Sequence, residues 1–238
     1  MLLLPPTHTL SQAQFNSTHH LLKSTSARSA ARFRRQLSLP LSLGSNYTLS
    51  FNLGHQAQPI TLYMDTGSDL VWLPCAPFKC ILCEGKPNAS PLANITRSVV
   101  VSCKSLACSA AHNLAPSSDL CAMAHCPLES IETSECANFK CPPFYYAYGD
   151  GSLVARLYRD SLSLSSLSLR NFTFGCAHTD LAEPTGVAGF DRGLLSLPAQ
   201  LATLAPQLGN RFSYCLVSHS FDSERVQKSS PLILGRYE

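Results

Sequence analysis

No stretch of this 238-residue chain approaches the ~18 continuous apolar residues that a membrane-crossing helix needs, so no spanning segment is expected. There is no His-x-x-x-His pair and the cysteine spacings do not repeat. Both absences weigh against zinc ligation by Cys80-Ile81-Leu82-Cys83 or by Cys136 and Cys141, and no metal is expected. Residues 1–43 contain no acid. Their five cations, Lys23, Arg28, Arg32, Arg34 and Arg35, leave 13 basic against 15 acidic residues in the remainder, so the overall charge of +3 becomes −2 without them. The basic run is short and carries only Phe15 and Phe33 as aromatics, which argues against a nucleic-acid partner. Met1-Leu2-Leu3-Leu4 meets Pro5-Pro6 with no basic start, too little for a signal peptide, and the true N-terminus is expected upstream.

Cysteine, by contrast, is plentiful. There are 11, an odd number, which in an oxidising compartment predicts at least one thiol without an intrachain partner. Five Asn-x-Ser/Thr sequons, at Asn16, Asn46, Asn88, Asn94 and Asn171, join the cysteines in favouring the secretory route and are candidate glycosylation sites. With a leader over residues 1–43 set aside as disordered, residues 44–238 suit one mainly β domain. A cysteine-rich insert at about 75–141, rich in Ser, Ala and Pro, lacks a long apolar period of its own.

The β reading rests on alternation. Tyr47, Leu49, Phe51 and Leu53 alternate with polar residues, and Ile60, Leu62 and Met64 share one face of a strand that runs directly into Asp65. Asp65-Thr66-Gly67-Ser68 then sets a carboxylate among small residues and hydroxyls, before the apolar run that contains Trp72, the only tryptophan. Alone, such a tetrapeptide also reads as a surface Asx turn. Further on, Phe144 to Tyr148 enters a turn at Gly149-Asp150-Gly151 and leaves through Leu153 to Leu157, a β-hairpin. Gly186 to Gly189 is followed by a helix with Ser196 as N-cap and Pro198 in its first turn. Leu197, Leu201, Leu204 and Leu208 form its stripe, and it stops at Gly209-Asn210.

Together these segments, with Phe174-Gly175-Cys176 and Phe212 to Leu216, resemble the N-terminal lobe of pepsin-like (family A1) aspartic proteases, in the plant nepenthesin-like subgroup, over about residues 41–236. The resemblance implies a twisted antiparallel, barrel-like lobe with a flap hairpin and one or two short helices, and aspartic endopeptidase activity on polypeptide substrates without a cofactor. It makes Asp65 a catalytic carboxylate in the loop Thr66, Gly67 and Ser68. Tyr148, Gly149, Asp150 and Gly151 become the flap over the substrate, with the Trp72 indole donating toward the Tyr148 hydroxyl. Asp191 departs from the pattern, which has glycine there, and a left-handed conformation would strain it.

Only one D-[TS]-G-[ST] loop is present, whereas pepsin-like enzymes use two, so the missing C-terminal lobe is an expected partner and the chain alone is expected to be inactive. Cys215 is the expected unpaired thiol, because the matching cysteine in the resembling proteins pairs with the second lobe. The other bridges are expected as Cys75 with Cys80, Cys83 with Cys176, Cys103 with Cys141, Cys108 with Cys136, and Cys121 with Cys126. The basic leader reads either as the end of a propeptide that pairs with active-site carboxylates or as a solvated tail. The expected destination is the cell wall, the exterior or the vacuole. Two other classes are a non-catalytic binding protein like the plant xylanase inhibitors, against which the intact Asp65 loop and Tyr148 argue, and a homodimeric half-enzyme.

Overall fold

A computed structural model of the chain describes residues 36–43, 46–86, 91–149, 151–216 and 230–235. Four strands open it: β1 (Gln36–Leu43), β2 (Tyr47–Leu53), β3 (Gln58–Asp65) and β4 (Val71–Ile81). After the short β5 (Val99–Val100) come three small helices, α1 (Leu106–Ala111), α2 (Ser117–Met123) and α3 (Leu128–Glu132). The hairpin β6 (Phe144–Tyr148) and β7 (Gly151–Leu164) leads to β8 (Leu167–Leu181) and β9 (Val187–Gly189). Helix α4 (Leu197–Leu204) precedes β10 (Phe212–Tyr214) and β11 (Ser230–Gly235).

Neighbouring strands run β2-β3-β9-β4-β8-β7, and β7 pairs back onto β2, which closes a six-stranded ring. Alternation supplies its interior: Leu49, Phe51 and Leu53 are buried while Ser50 and Asn52 face solvent. In β7 the inward set changes parity, from Leu153, Ala155 and Leu157 to Leu162 and Leu164, because a bulge lies between Asp160 and Leu162. That one irregularity lets a single strand serve two cores, the main one and a second around Trp72 and the insert.

Three boundaries differ from the sequence reading. β1 lies within residues 1–43, yet it buries Leu37, Leu39 and Leu41 and pairs with β11, so the ordered domain includes residues assigned to the leader. Pro40 is tolerated because β1 is bonded there only to β11, its pairs to β2 being confined to Ser42 and Leu43. β4 continues to Ile81, so the insert begins later than residue 75. α4 ends at Leu204 rather than at Gly209, since Ala205 precedes Pro206 and takes φ −138°, ψ 70°; Leu208 is buried from the following turn instead. Its N-terminus is as read, with Ser196 Oγ accepting from the Ala199 N–H.

The disulfides follow the strands and not the spacing. Cys75 bonds Cys176, Cys80 bonds Cys83, Cys103 bonds Cys121, Cys108 bonds Cys141 and Cys126 bonds Cys136. These replace the expected Cys75–Cys80, Cys83–Cys176, Cys103–Cys141, Cys108–Cys136 and Cys121–Cys126. The reason is topological: β4 lies parallel to β8 with Leu73 opposite Cys176, which brings Cys75 to 5.6 Å (Cα–Cα) from it and leaves Cys80 to close the turn onto Cys83. Cys215 is free and exposed.

Candidate active site: the Asp65 loop beneath the hairpin

Asp65 is the last residue of β3, and its position is fixed by β9. The β9 strand lies between β3, which it pairs in parallel, and β4, which it pairs antiparallel, so the loop from Asp65 to Leu70 bridges over it. Gly189, opposite Asp65, must be glycine: a Cβ there would stand 2.6 Å from the carbonyl oxygens of Ser68 and Leu70. Backbone N–H groups then pin the loop from below, Phe190 donating to the Asp65 carbonyl (2.8 Å) and Asp191 to that of Ser68 (2.9 Å). Asp191 itself is not among the residues with positive φ, so the left-handed strain expected of it does not arise. Gly67 has no positive φ either; its role is to bring its N–H 2.9 Å from Asp65 Oδ1, a bond that fixes the carboxylate over the loop.

The carboxylate is half-buried at the edge of a cavity of about 350 Å³, and Ser68, Trp72, Tyr148 and Glu183 line the same space. Ser68 Oγ is buried without a hydrogen-bond partner among the described residues, whereas Thr66 and Gly67 are exposed. Trp72 is buried and stacks on Tyr148, with centroids 6.4 Å apart and planes at 21°. The Tyr148 hydroxyl donates to Asp180 Oδ2 (2.9 Å), and the contact seen between Trp72 and Tyr148 is ring on ring. Gly149 lies at the tip of the hairpin and Gly151 pairs with Tyr148; Asp150 falls outside the described residues.

Four residues of the site escaped the sequence reading: Asp69, Tyr146, Asp180 and Glu183. Tyr146 was within reach of it, since it shares the period-2 face of Phe144 and Tyr148. Its hydroxyl donates to Asp69 Oδ1 at 2.9 Å. Burial first, then that bond and the charges of Asp69 and Asp65, push its pKa up to about 12. Asp180, 1 % exposed, accepts from Tyr148 and from the Glu183 N–H; its place depends on β8 reaching the hairpin, which no local pattern announces. Among the described residues, three metal-type ligands converge at Cys108, His112 and Cys141, but the two sulfurs are bonded to each other. Of the sequons, Asn46, Asn94 and Asn171 are exposed, while Asn16 and Asn88 lie outside the described residues. No helix among the described residues is long and apolar enough to cross a membrane.

A closed mainly β lobe that carries an Asp-Thr-Gly-Ser loop under an aromatic hairpin defines a pepsin-like N-terminal lobe. Residues 47–236 match the family model described as xylanase inhibitor N-terminal, and the chain belongs to that family of pepsin-like lobes. It is 62 % identical over 249 residues to a probable aspartyl protease of Arabidopsis thaliana, covering 99 % of this chain and 50 % of the relative. Its identity to aspartic proteinase nepenthesin-1 of Nepenthes gracilis is 33 % over 175 residues, covering 71 % of this chain and 34 % of that protein. The chain thus spans half or less of the length of these relatives. Among solved structures, basic 7S globulin from soybean superposes with a TM-score of 0.53 at 19 % identity, over 85 % of this chain and 50 % of that one, which speaks for the fold alone.

Proposed function

We propose that this chain is the N-terminal half of an aspartic endopeptidase, in which Asp65 supplies one of two catalytic carboxylates. The observation that carries the reading is the Asp65 carboxylate, held by backbone bonds at the end of β3 and open to a cavity that the Tyr148 hairpin also lines. Peptide hydrolysis without metal or covalent intermediate needs a base to take a proton from water and an acid to protonate the carbonyl oxygen. Two aspartates about 3 Å apart do both, because like charges that close share one proton. The apparent pKa values then belong to the pair.

The second carboxylate comes from a second lobe, which also forms the opposite wall of the cleft. The exposure of Thr66 and Gly67 on this lobe supports a docking partner at that point. Tyr148 and Gly149 close over the bound peptide, with Trp72 and Asp180 as supports. The disulfides and the plant relatives support passage through the secretory pathway, where the exposed sequons would be open to glycosylation. A second reading, binding without catalysis, is favoured by the family description, which is that of a xylanase inhibitor. It predicts saturable capture of a xylanase by this chain, which the protease reading does not.

The test joins this chain to the complementary half of the 62 %-identical Arabidopsis relative. That protein should cleave denatured protein in acid, and Asp65→Asn should lower kcat on the order of 10⁴-fold with the fold intact by circular dichroism. Undiminished cleavage by the Asp65→Asn protein would remove Asp65 from the chemistry.

A further inference from the structure

On the other side of Tyr146 from the Asp65 cavity lies a second cavity, of about 370 Å³, and Tyr146 lines both. This volume is within the range of about 300–1,000 Å³ typical of ligand sites. Leu70, Phe144 and Leu195 form the apolar part of a lining that is otherwise largely polar, and Ala110, Ala111 and Asn113 contribute a side that belongs to the insert. At its mouth stands one acid, Asp69. Oδ1 accepts from the Tyr146 hydroxyl at 2.9 Å, while Oδ2 accepts no hydrogen bond and no Lys or Arg pairs with Asp69 among the described residues. The position of this carboxylate is built into the fold, because a Cβ at Gly193 would lie 2.3 Å from Oδ2 and only glycine leaves it room. Tyr146 is a neutral hydrogen-bond donor and brings no positive charge to Asp69.

We propose that this second cavity is a subsite for a lysine or arginine side chain of the polypeptide, whose methylene stem lies against Leu70, Phe144 and Leu195 and whose cationic head meets Asp69 Oδ2. It rests on the reading that the adjoining Asp65 cleft binds a peptide. Long cationic side chains bury their stems and keep the head polar, which matches a mixed lining with a few apolar side chains, polar groups and an acid at the rim. An apolar side chain would cover the carboxylate without replacing its water, and an acidic one would be repelled. The insert thereby has a role in recognition as well as in packing.

Binding is tested on the 238-residue chain, without any need for catalysis, by NMR titration with Nα-acetyl-arginine methylamide and with Nα-acetyl-norleucine methylamide. The arginine probe should shift the Ala110 and Ala111 methyl signals saturably and bind about tenfold tighter than the norleucine probe. Asp69→Asn should erase that preference, and Ala110→Lys, which places a cation inside the cavity, should abolish arginine binding even if the Asp69 variant folds poorly. Glu129→Gln, on the exposed face of α3, should change neither. Equal affinity for both probes, a preference that survives Asp69→Asn, or no saturable shift from either probe overturns the subsite. If the two-lobed protein cleaves nothing while arginine still binds through Asp69, the protease reading fails and the subsite stands; cleavage with no basic preference and no arginine binding is the reverse.

Discussion

The ring that carries Asp65 and the insert between β4 and β6 both have to hold side chains still, and they do it by different physics. In the ring, long strands bury Leu49, Phe51, Ile60, Leu62, Leu73, Phe172 and Phe174 in one apolar core. The insert's helices are only five to seven residues long, too short to be stable alone, and its buried set includes Cys103, Cys108, Cys121, Cys126, Cys136 and Cys141. Of its large apolar residues Leu120 is buried, but Leu106, Leu114 and Leu128 point outward, at 79 %, 79 % and 69 % exposure. Apolar burial therefore positions the Asp65 loop, while covalent staples position the wall of the neighbouring cavity.

Breaking each region by its own means should expose the contrast. The largest effect is expected in the ring, where Leu62→Ala, at a fully buried site one strand position from Tyr63, should destabilise the whole domain by about 2–5 kcal/mol in urea unfolding. Leu106→Ala in the insert should stay within about 0.5 kcal/mol. Next comes the pair Cys108→Ser with Cys141→Ser, which opens a loop of sequence separation 33 and should cost about 3–4 kcal/mol. Hydrogen exchange should then rise in α1 and α2 while β2, β3 and β8 stay protected; uniform loss of protection would mean that the two regions fold as one unit.

The smallest effect sharpens the boundary between the two cavities. Tyr146 is an acid whose folded pKa is raised from 10.0 to about 12, so its neutral form favours the folded state below pH 10, and that contribution is lost as pH rises through 12. Tyrosine-labelled NMR should show the Tyr146 ring titrating near 12. Asp69→Asn should lower that value but leave it above 10, because burial is the largest cause and stays in place. A return to 10 would assign the shift to charge alone.

What could be read from the sequence was local. Strand alternation, the hairpin at Tyr148 and the Ser196 cap each lie within a few residues of their own signal. The disulfide partners depend on which strands lie side by side: the β4–β8 contact joins cysteines 101 residues apart, and no spacing encodes it. β1 was legible in principle, as Leu37, Leu39 and Leu41 alternate with Ser38 and Pro40. The cations that end at Arg34 and Arg35 masked this alternation, because the charge change lies right beside the strand. The Asp69–Tyr146 pair lies between these cases, because one partner shares a visible strand face and the other meets it across 77 residues.

The central claim is that Asp65 is a finished half of a two-part chemistry, and the most direct measurement is acid proteolysis as a function of pH by the 238-residue chain alone, beside the same chain joined to a second lobe. At a concentration too low for dimerisation, the chain alone should give no cleavage of denatured protein at any pH. The two-lobed protein should give a bell-shaped acid profile set by a shared-proton pair. Strong cleavage by the 238-residue chain alone under those conditions would contradict the claim.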